Sequence, residues 1–371
     1  VLNTMMMSFS AMALVGVLWM LVGYSLAFSP GSGPFAPFIG GLQWAGIPNW
    51  AEPSLTAPAI SHGSFALFQA TFAIITPALV SGAVVERLNF RAWLLFVLAW
   101  TFVVYIPLAH MVWGGGFIAQ HIGAIDFAGG FVVEMASGVA AAVAAMVVGR
   151  RLQHPSHVAP PHNVPFILMG AGLLWFGWYG FNGGSALASG QLASLGCLTT
   201  NTAGAAAALV WMFQETLQRG KATAVGMATG AVAGLVAITP AAGYVSPLSA
   251  ALIGALAAVI CNGALQLKNR IGLDDSLDVL PVHGVAGLIG VLLTGVLANR
   301  SVNAAGGDGW LASGHPTLLL NQASGAGFTI LWVGVGTFVV LKLIALMVPL
   351  RVSADQERQG LDINAHGEEA Y

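Results

Sequence analysis

Apolar residues run in ten long blocks along this chain, separated by short polar punctuation: about 5–28, 62–85, 92–112, 126–149, 164–186, 194–216, 224–242, 247–267, 277–298 and 323–348. A helix rises about 1.5 Å per residue and needs roughly 20 apolar residues to cross a bilayer core. The pattern therefore predicts an all-α polytopic membrane protein with ten transmembrane helices. Segments 29–61 (rich in Pro, Gly and Trp) and 299–322 read as loops outside the cell. Segment 349–371 reads as a polar tail exposed to the cytoplasm, bearing Asp355, Glu357, Arg358, Asp362, Glu368 and Glu369. This gives a transmembrane domain over 1–348 and a C-terminal tail over 349–371.

The cations orient the spans. Arg87 and Arg91 follow the second block, Arg150 and Arg151 the fourth, Arg219 and Lys221 the sixth, and Lys268 and Arg270 the eighth. Lys342, Arg351 and Arg358 lie at or beyond the end of the tenth, so eleven of the 12 Lys and Arg share one side and Arg300 alone is opposite. By the positive-inside rule both termini are cytoplasmic.

The fourth block opens with Asp126-Phe-Ala-Gly-Gly-Phe-Val-Val-Glu134-Met-Ala-Ser-Gly138, and the ninth contains Asp275-Ser-Leu-Asp-Val-Leu-Pro-Val-His283-Gly-Val-Ala-Gly287. With His283 laid on Glu134, four identities fall in one ungapped register: Asp at −8, Val at −1, Gly at +4 and Arg at +17 (Arg151 and Arg300). The two blocks cross in opposite directions, so the chain reads as inverted five-helix repeats around a central pore. Asp126 then lies near the outer face and Asp275 near the inner one, while Glu134 and His283 meet near the midplane.

Composition narrows the class. The chain is 57% hydrophobic and 7% charged, with 48 glycines, as expected of closely packed membrane helices. A formal net charge of −2 gives no sign of nucleic-acid binding. Cys197 and Cys261 fall in apolar spans, which predicts neither a disulfide framework nor a metal site, and no cofactor is implied. The chain has no cleavable signal pattern, and starting at Val1 it reads as processed or incomplete at its beginning.

A carboxylate at mid-membrane depth costs about 2.5–3.5 kcal/mol on insertion scales, so Glu134 calls for a reason. One is a carboxylate–imidazole lock between two helices. The other is a proton- or cation-handling pair, because burial disfavours the charged form of either group and the pair can share one proton. Phe72, Trp113 and Phe181 are each readable as packing residues. Trp113, however, precedes three glycines that allow a turn placing its indole over a pore mouth, where a ring face holds a cation with about 0.5–2 kcal/mol. Ser185, after the glycine-broken run Gly177-Trp-Tyr-Gly-Phe181-Asn-Gly-Gly, can offer an oxygen to the same site or bond a helix carbonyl. Asp126 can act as an electrostatic lure, as the N-cap of the fourth helix, or both. Thr239-Pro240 predicts a kink in the seventh span. Glu86-Arg87 and Asp274-Asp275 read as ion-paired boundary groups, and His110, His121, His154, His157 and His162 carry little signal. No His-Glu-x-x-His motif occurs, which disfavours an intramembrane metallohydrolase.

Several motifs together resemble the ammonium transporter family (Amt/Mep/Rh), in order along nearly the whole chain. They are Ala109-His-Met-Val-Trp113-Gly-Gly-Gly, Asp126-Phe-Ala-Gly-Gly, Gly177-Trp-Tyr-Gly-Phe181-Asn, Thr239-Pro-Ala-Ala-Gly-Tyr244, Val282-His283-Gly and the tail Gln356-Glu-Arg-Gln-Gly-Leu-Asp-Ile-Asn-Ala-His-Gly367. The resemblance implies an outer ammonium site of Trp113, Phe72 and Ser185 with Asp126 beneath it, and a stacked gate of Phe72 and Phe181. It makes His283 the second of two facing pore histidines. Glu134 stands where the family has the first, a departure shared with similar members, fungal ones included. The chain opens where the second of the family's eleven spans begins.

The resemblance further implies a multi-pass protein of the cell (inner) membrane, a homotrimer with one pore per subunit, and no enzyme. Its substrate would be ammonium or ammonia, with methylammonium as analogue, and its partner at the cytoplasmic face a PII-type signalling protein. Besides a transporter or channel, the reading leaves open an ammonium sensor that signals through the tail, and a channel for neutral solutes.

Overall fold

The computed structural model describes residues 1–155 and 160–370; His157 lies outside them. The described residues form helices and loops, with no strand beyond the isolated bridges Pro53–Ser61 and Leu88–Arg351. Among the described residues nine helices are long and apolar enough to cross a membrane: α1 Leu2–Phe28, α2 His62–Val84, α3 Phe90–Trp113, α4 Gly130–Val148, α5 Val164–Gly183, α6 Gln191–Arg219, α8 Pro247–Ile271, α9 Leu280–Leu297 and α10 Thr317–Ala345. Between α6 and α8 lies a shorter apolar helix, α7 Ala224–Ile238. These ten match the ten predicted blocks.

Several span ends shift by a few residues, and two of the shifts have a local reason. The predicted kink at Thr239-Pro240 is instead the end of α7. Pro240 has no N–H to continue the ladder, and the Thr239 hydroxyl donates back to the Leu235 carbonyl at 2.8 Å. The chain then passes through tight turns, and the freed Pro240 carbonyl accepts from Phe127 N at 3.2 Å. Helix α10 starts at Thr317, inside the expected loop. Gln322, fully buried, is accommodated because its amide oxygen accepts from Ile125 N at 2.8 Å and its nitrogen donates to Ile125 O at 2.9 Å.

The tail is not a free polar extension. It forms α11 Ala354–Gln359, opened by a Ser353–Gln356 capping box, and α12 Leu361–His366. Glu357 binds Arg351 at 2.7 Å and accepts from Leu152 N at 2.7 Å, while Asp362 accepts from Leu2 N and Asn3 N at 2.9 and 2.8 Å. Its polar residues thus satisfy groups at the ends of the spans.

The same face gathers most of the cations. Arg87 is buried and donates to the carbonyls of Gly149, Ala83 and Asp274; Glu86 pairs with Arg151 at 2.7 Å, not with its neighbour Arg87. Asp274 also binds Arg151, at 2.8 Å. Burial alone would raise the Asp274 carboxyl, but the hydrogen bonds from the Arg151 side chain and backbone, with the charge of Arg87, hold it below its ordinary value.

The central crossing is α4 against α9. A Cβ on Gly138 would land on the backbone of Gly284, and a Cβ on Gly287 would come within 2.8 Å of Glu134 Cβ and 3.0 Å of Met135 N. Gly138 and Gly287 are equivalent in the repeat, as are Met135 and Gly284, so the contact is reciprocal. As one position advances the other retreats, the geometry of an antiparallel crossing. Small residues at these places let two backbones touch.

Candidate functional site

The repeat orders both ends of this crossing in the same way. At one end, the Asp126 carboxylate accepts from Gly129 N, Gly130 N and Phe131 N at 2.8, 2.7 and 2.8 Å, capping α4. At the other end, Asp275 accepts from Val279 N and Leu280 N at 3.1 and 2.7 Å, capping α9. The turn between cap and helix uses a left-handed residue at the equivalent position of each: Gly129 with φ 117° and Asp278 with φ 60°. The Asp126 carbonyl accepts from Trp113 Nε1 at 3.0 Å; the Asp275 carbonyl accepts from Lys268 Nζ at 2.8 Å, and Lys268 also pairs with Asp278 at 2.7 Å. An indole on one side thus occupies the place of an ammonium group on the other.

Both helices begin with a wide π turn, Gly130–Met135 and Leu280–Val285, and these turns carry Glu134 and His283. Such turns shift the side chains that follow and recur at functional sites. Glu134 is fully buried and His283 is 7% exposed. Glu134 Oε2 lies 2.7 Å from His283 Nδ1, while Glu134 Oε1 has no hydrogen-bond partner. A buried carboxylate with one oxygen on an imidazole and the other unengaged can accept a proton or an N–H.

At the Asp126 end lies a cavity of about 110 Å³ lined by Phe28, Thr56, Phe65, Phe68, Gln69, Phe72, Trp113, Phe127, Ser185 and Leu187. Phe72, Trp113 and Ser185 are therefore together on its wall; Asp126 is not, being buried in its own cap, beside the wall residue Phe127 and bonded through its carbonyl to the Trp113 indole. Because the indole N–H is engaged at its edge, Trp113 can offer its face. Ser185 donates its hydroxyl proton to Phe181 O at 2.8 Å, which leaves lone pairs as its remaining capacity. Phe72 and Phe181 meet with ring centroids 4.4 Å apart at 47°, and Trp113 stands edge-on to Phe72 at 5.6 Å. Phe181 itself rides on a third π turn, Tyr179–Gly183. Among the described residues no group of three His, Cys, Asp or Glu side chains is arranged to hold a metal.

The sequence reading did not single out Gln69 or Lys268. Gln69 is a neutral amide inside an apolar block, and Lys268 counted only as one of the orienting cations.

Comparison with known proteins shows the family of the whole chain. A model of the Ammonium Transporter Family matches residues 1–371. An ammonium transporter of Bacillus subtilis (strain 168) is 45% identical over 373 residues, covering 100% of this chain and 90% of its own, and one of Aquifex aeolicus (strain VF5) is 45% identical, covering 100% and 85%. The crystal structure of Saccharomyces cerevisiae Mep2 superposes with a TM-score of 0.85 at 36% identity, covering 95% of this chain and 79% of that one. A solved "Sensor Amt Protein" superposes at 0.84 with 28% identity, covering 98% and 89%. With a match along its full length, and relatives that are transporters and not enzymes, this chain belongs to the ammonium transporter family.

Proposed function

We propose that the chain holds ammonium in the outer cavity, takes a proton from it, and passes ammonia inward between the two halves of the repeat while the proton follows separately. The observation that carries this reading is the 2.7 Å contact between Glu134 and His283, buried side chains from equivalent positions of the two halves. Moving an intact ammonium-sized ion into a low-dielectric medium has an idealised cost of order 20 kcal/mol. Neutral ammonia needs only modest desolvation, so releasing the proton removes most of the barrier.

In this reading the ring faces of Trp113 and Phe72 and the Ser185 oxygen bind the cation. Phe72 and Phe181, their ring centroids 4.4 Å apart and their planes tilted by 47°, act as the gate beneath it. Asp126 shapes the helix start and adds negative charge below the cavity. Glu134 and His283 receive the proton and share it. The same reading places the protein in the cell membrane with its C-terminus in the cytoplasm, assembles it as a homotrimer, and offers the tail to a PII-type protein.

Currents from purified protein on solid-supported membranes test this. An ammonium jump gives a transient current and a potassium jump does not. Ammonia uptake without current contradicts the proton relay, and equal currents for both ions contradict selection.

A second reading, an ammonium sensor, draws support from the tail's hydrogen bonds to the first turn of α1 and to Leu152, and from the likeness to a protein described as a sensor. Deleting 349–371 separates the two: a sensor loses its output while uptake persists.

A further inference from the structure

Lys268, in the last turn of α8, is 7% exposed. An orienting cation needs only to face water, as Arg270 does two residues on, and a lysine is seldom buried unless it is paired. Lys268 has two partners, both in the turn that starts α9. Its Nζ donates to the Asp275 carbonyl at 2.8 Å and pairs with the Asp278 carboxylate at 2.7 Å. Asp278 takes a left-handed conformation, φ 60°, which residues other than glycine adopt at a cost. Its carbonyl accepts from Val282 N at 3.0 Å, the bond made beside His283. The other half of the repeat makes the equivalent turn with Gly129, φ 117°, which needs no such hold.

We propose that Lys268 is a positioning residue: by holding Asp278 in the left-handed turn it fixes the start of the wide turn Leu280–Val285 and so sets His283 against Glu134. The proposal rests on that pair handling the substrate's proton. The chain of contacts is short. Lys268 holds Asp278, Asp278 holds Val282, and the next residue, His283, stands 2.7 Å from Glu134. On its other flank the turn is tied to α2, where Leu277 N donates to Gly82 O at 3.0 Å, so loss of Lys268 frees it only on the α8 side. That is enough to matter, because misplacing a reacting group by about 1 Å costs up to about 100-fold in rate. The two halves thus build one turn in two ways, with a glycine at one end and an aspartate held by a lysine at the other.

Ammonium-driven current per assembled protein, recorded on solid-supported membranes, tests this with Lys268→Met, which keeps an apolar stem and removes the charge. The current at saturating ammonium falls about tenfold or more. The half-saturating ammonium concentration stays within about twofold, because the aromatic cavity at the Asp126 end is untouched. Adding Asp278→Gly, the residue used by the other half, lets the turn form without the lysine. The Asp275 carbonyl still accepts from the N–H of residue 278, 3.3 Å away. In this double variant the current returns to within about threefold of wild type. A lysine that only braced α8 against α9 would not be replaced by a glycine that makes no bond to α8. Wild-type current in Lys268→Met overturns the proposal, as does a double variant that does no better than the single one. Should Lys268→Met fail to assemble, the double variant is read alone, and its failure to assemble or a current below that threefold range overturns the proposal. Glu134→Gln, recorded alongside, separates the two claims. If it too keeps wild-type current, the pair has no proton role; if it loses current while Lys268→Met does not, only the assignment of Lys268 falls.

Discussion

Glu134 and His283 touch at 2.7 Å from positions 149 residues apart in the chain, and each stands four residues before a glycine that packs on the other's helix. The short contact and the reciprocal glycine packing are one arrangement. The glycines bring the two backbones together, and the π turns place the acid and the imidazole in the same gap.

Gly138→Ala tests that packing. Its Cβ would strike the backbone of Gly284, which cannot rotate away as a flexible side chain could. Overpacking of this kind costs about 1–3 kcal/mol or more. The variant is expected to melt at a lower temperature in detergent and to lose transport, whereas Gly263→Ala, whose Cβ meets nothing within 4 Å, leaves both unchanged.

Asp126 separates two roles by substitution. As a cap, its carboxylate serves three backbone amides, Gly129 N and Gly130 N through Oδ1 and Phe131 N through Oδ2, and Asn retains the acceptor for the first two. Asp126→Asn should therefore keep most of the stability, while Asp126→Ala loses about 0.5–2 kcal/mol as measured by thermal unfolding. Ammonium uptake should fall in both variants, because Asn lacks the charge as Ala does. An Asn variant with wild-type uptake assigns the work to the cap alone.

Much of this arrangement was legible in the residues. The ten spans follow from apolar blocks, and the cost of an acid in lipid marked Glu134. The repeat of Asp126, Glu134 and Gly138 as Asp275, His283 and Gly287 foretold an antiparallel crossing. Other features were hidden because neighbours distant in sequence satisfy them. Gln322 could sit inside α10 because Ile125 takes up its amide, and the tail could fold back because Asp362 meets the amides of Leu2 and Asn3. The π turns carry no distinct composition. Gln69 was indistinguishable from any amide in an apolar helix until the cavity beside it was known.

Asp274 predicts a pH dependence on the face that carries Arg87 and Arg151. Its folded pKa lies below its ordinary value despite burial, because Arg151 binds it in two ways. Its contribution is therefore fully present above the unfolded value of about 3.9 and lost as pH falls through the lower folded value. The gap in melting temperature between wild type and Asp274→Asn should shrink as pH falls below about 4. A gap that does not change between pH 5 and pH 3 contradicts this assignment.

The central claim is that Glu134 and His283 handle the substrate's proton, and ammonium-driven current from Glu134→Gln measures it most directly. The Gln side chain keeps the shape and a hydrogen bond to the imidazole but cannot take a proton. Recorded from pH 5 to 8 on solid-supported membranes, the variant is expected to lose most of the current and the pH dependence of the remainder. A Glu134→Gln current equal to wild type in size and in its response to pH would contradict the account.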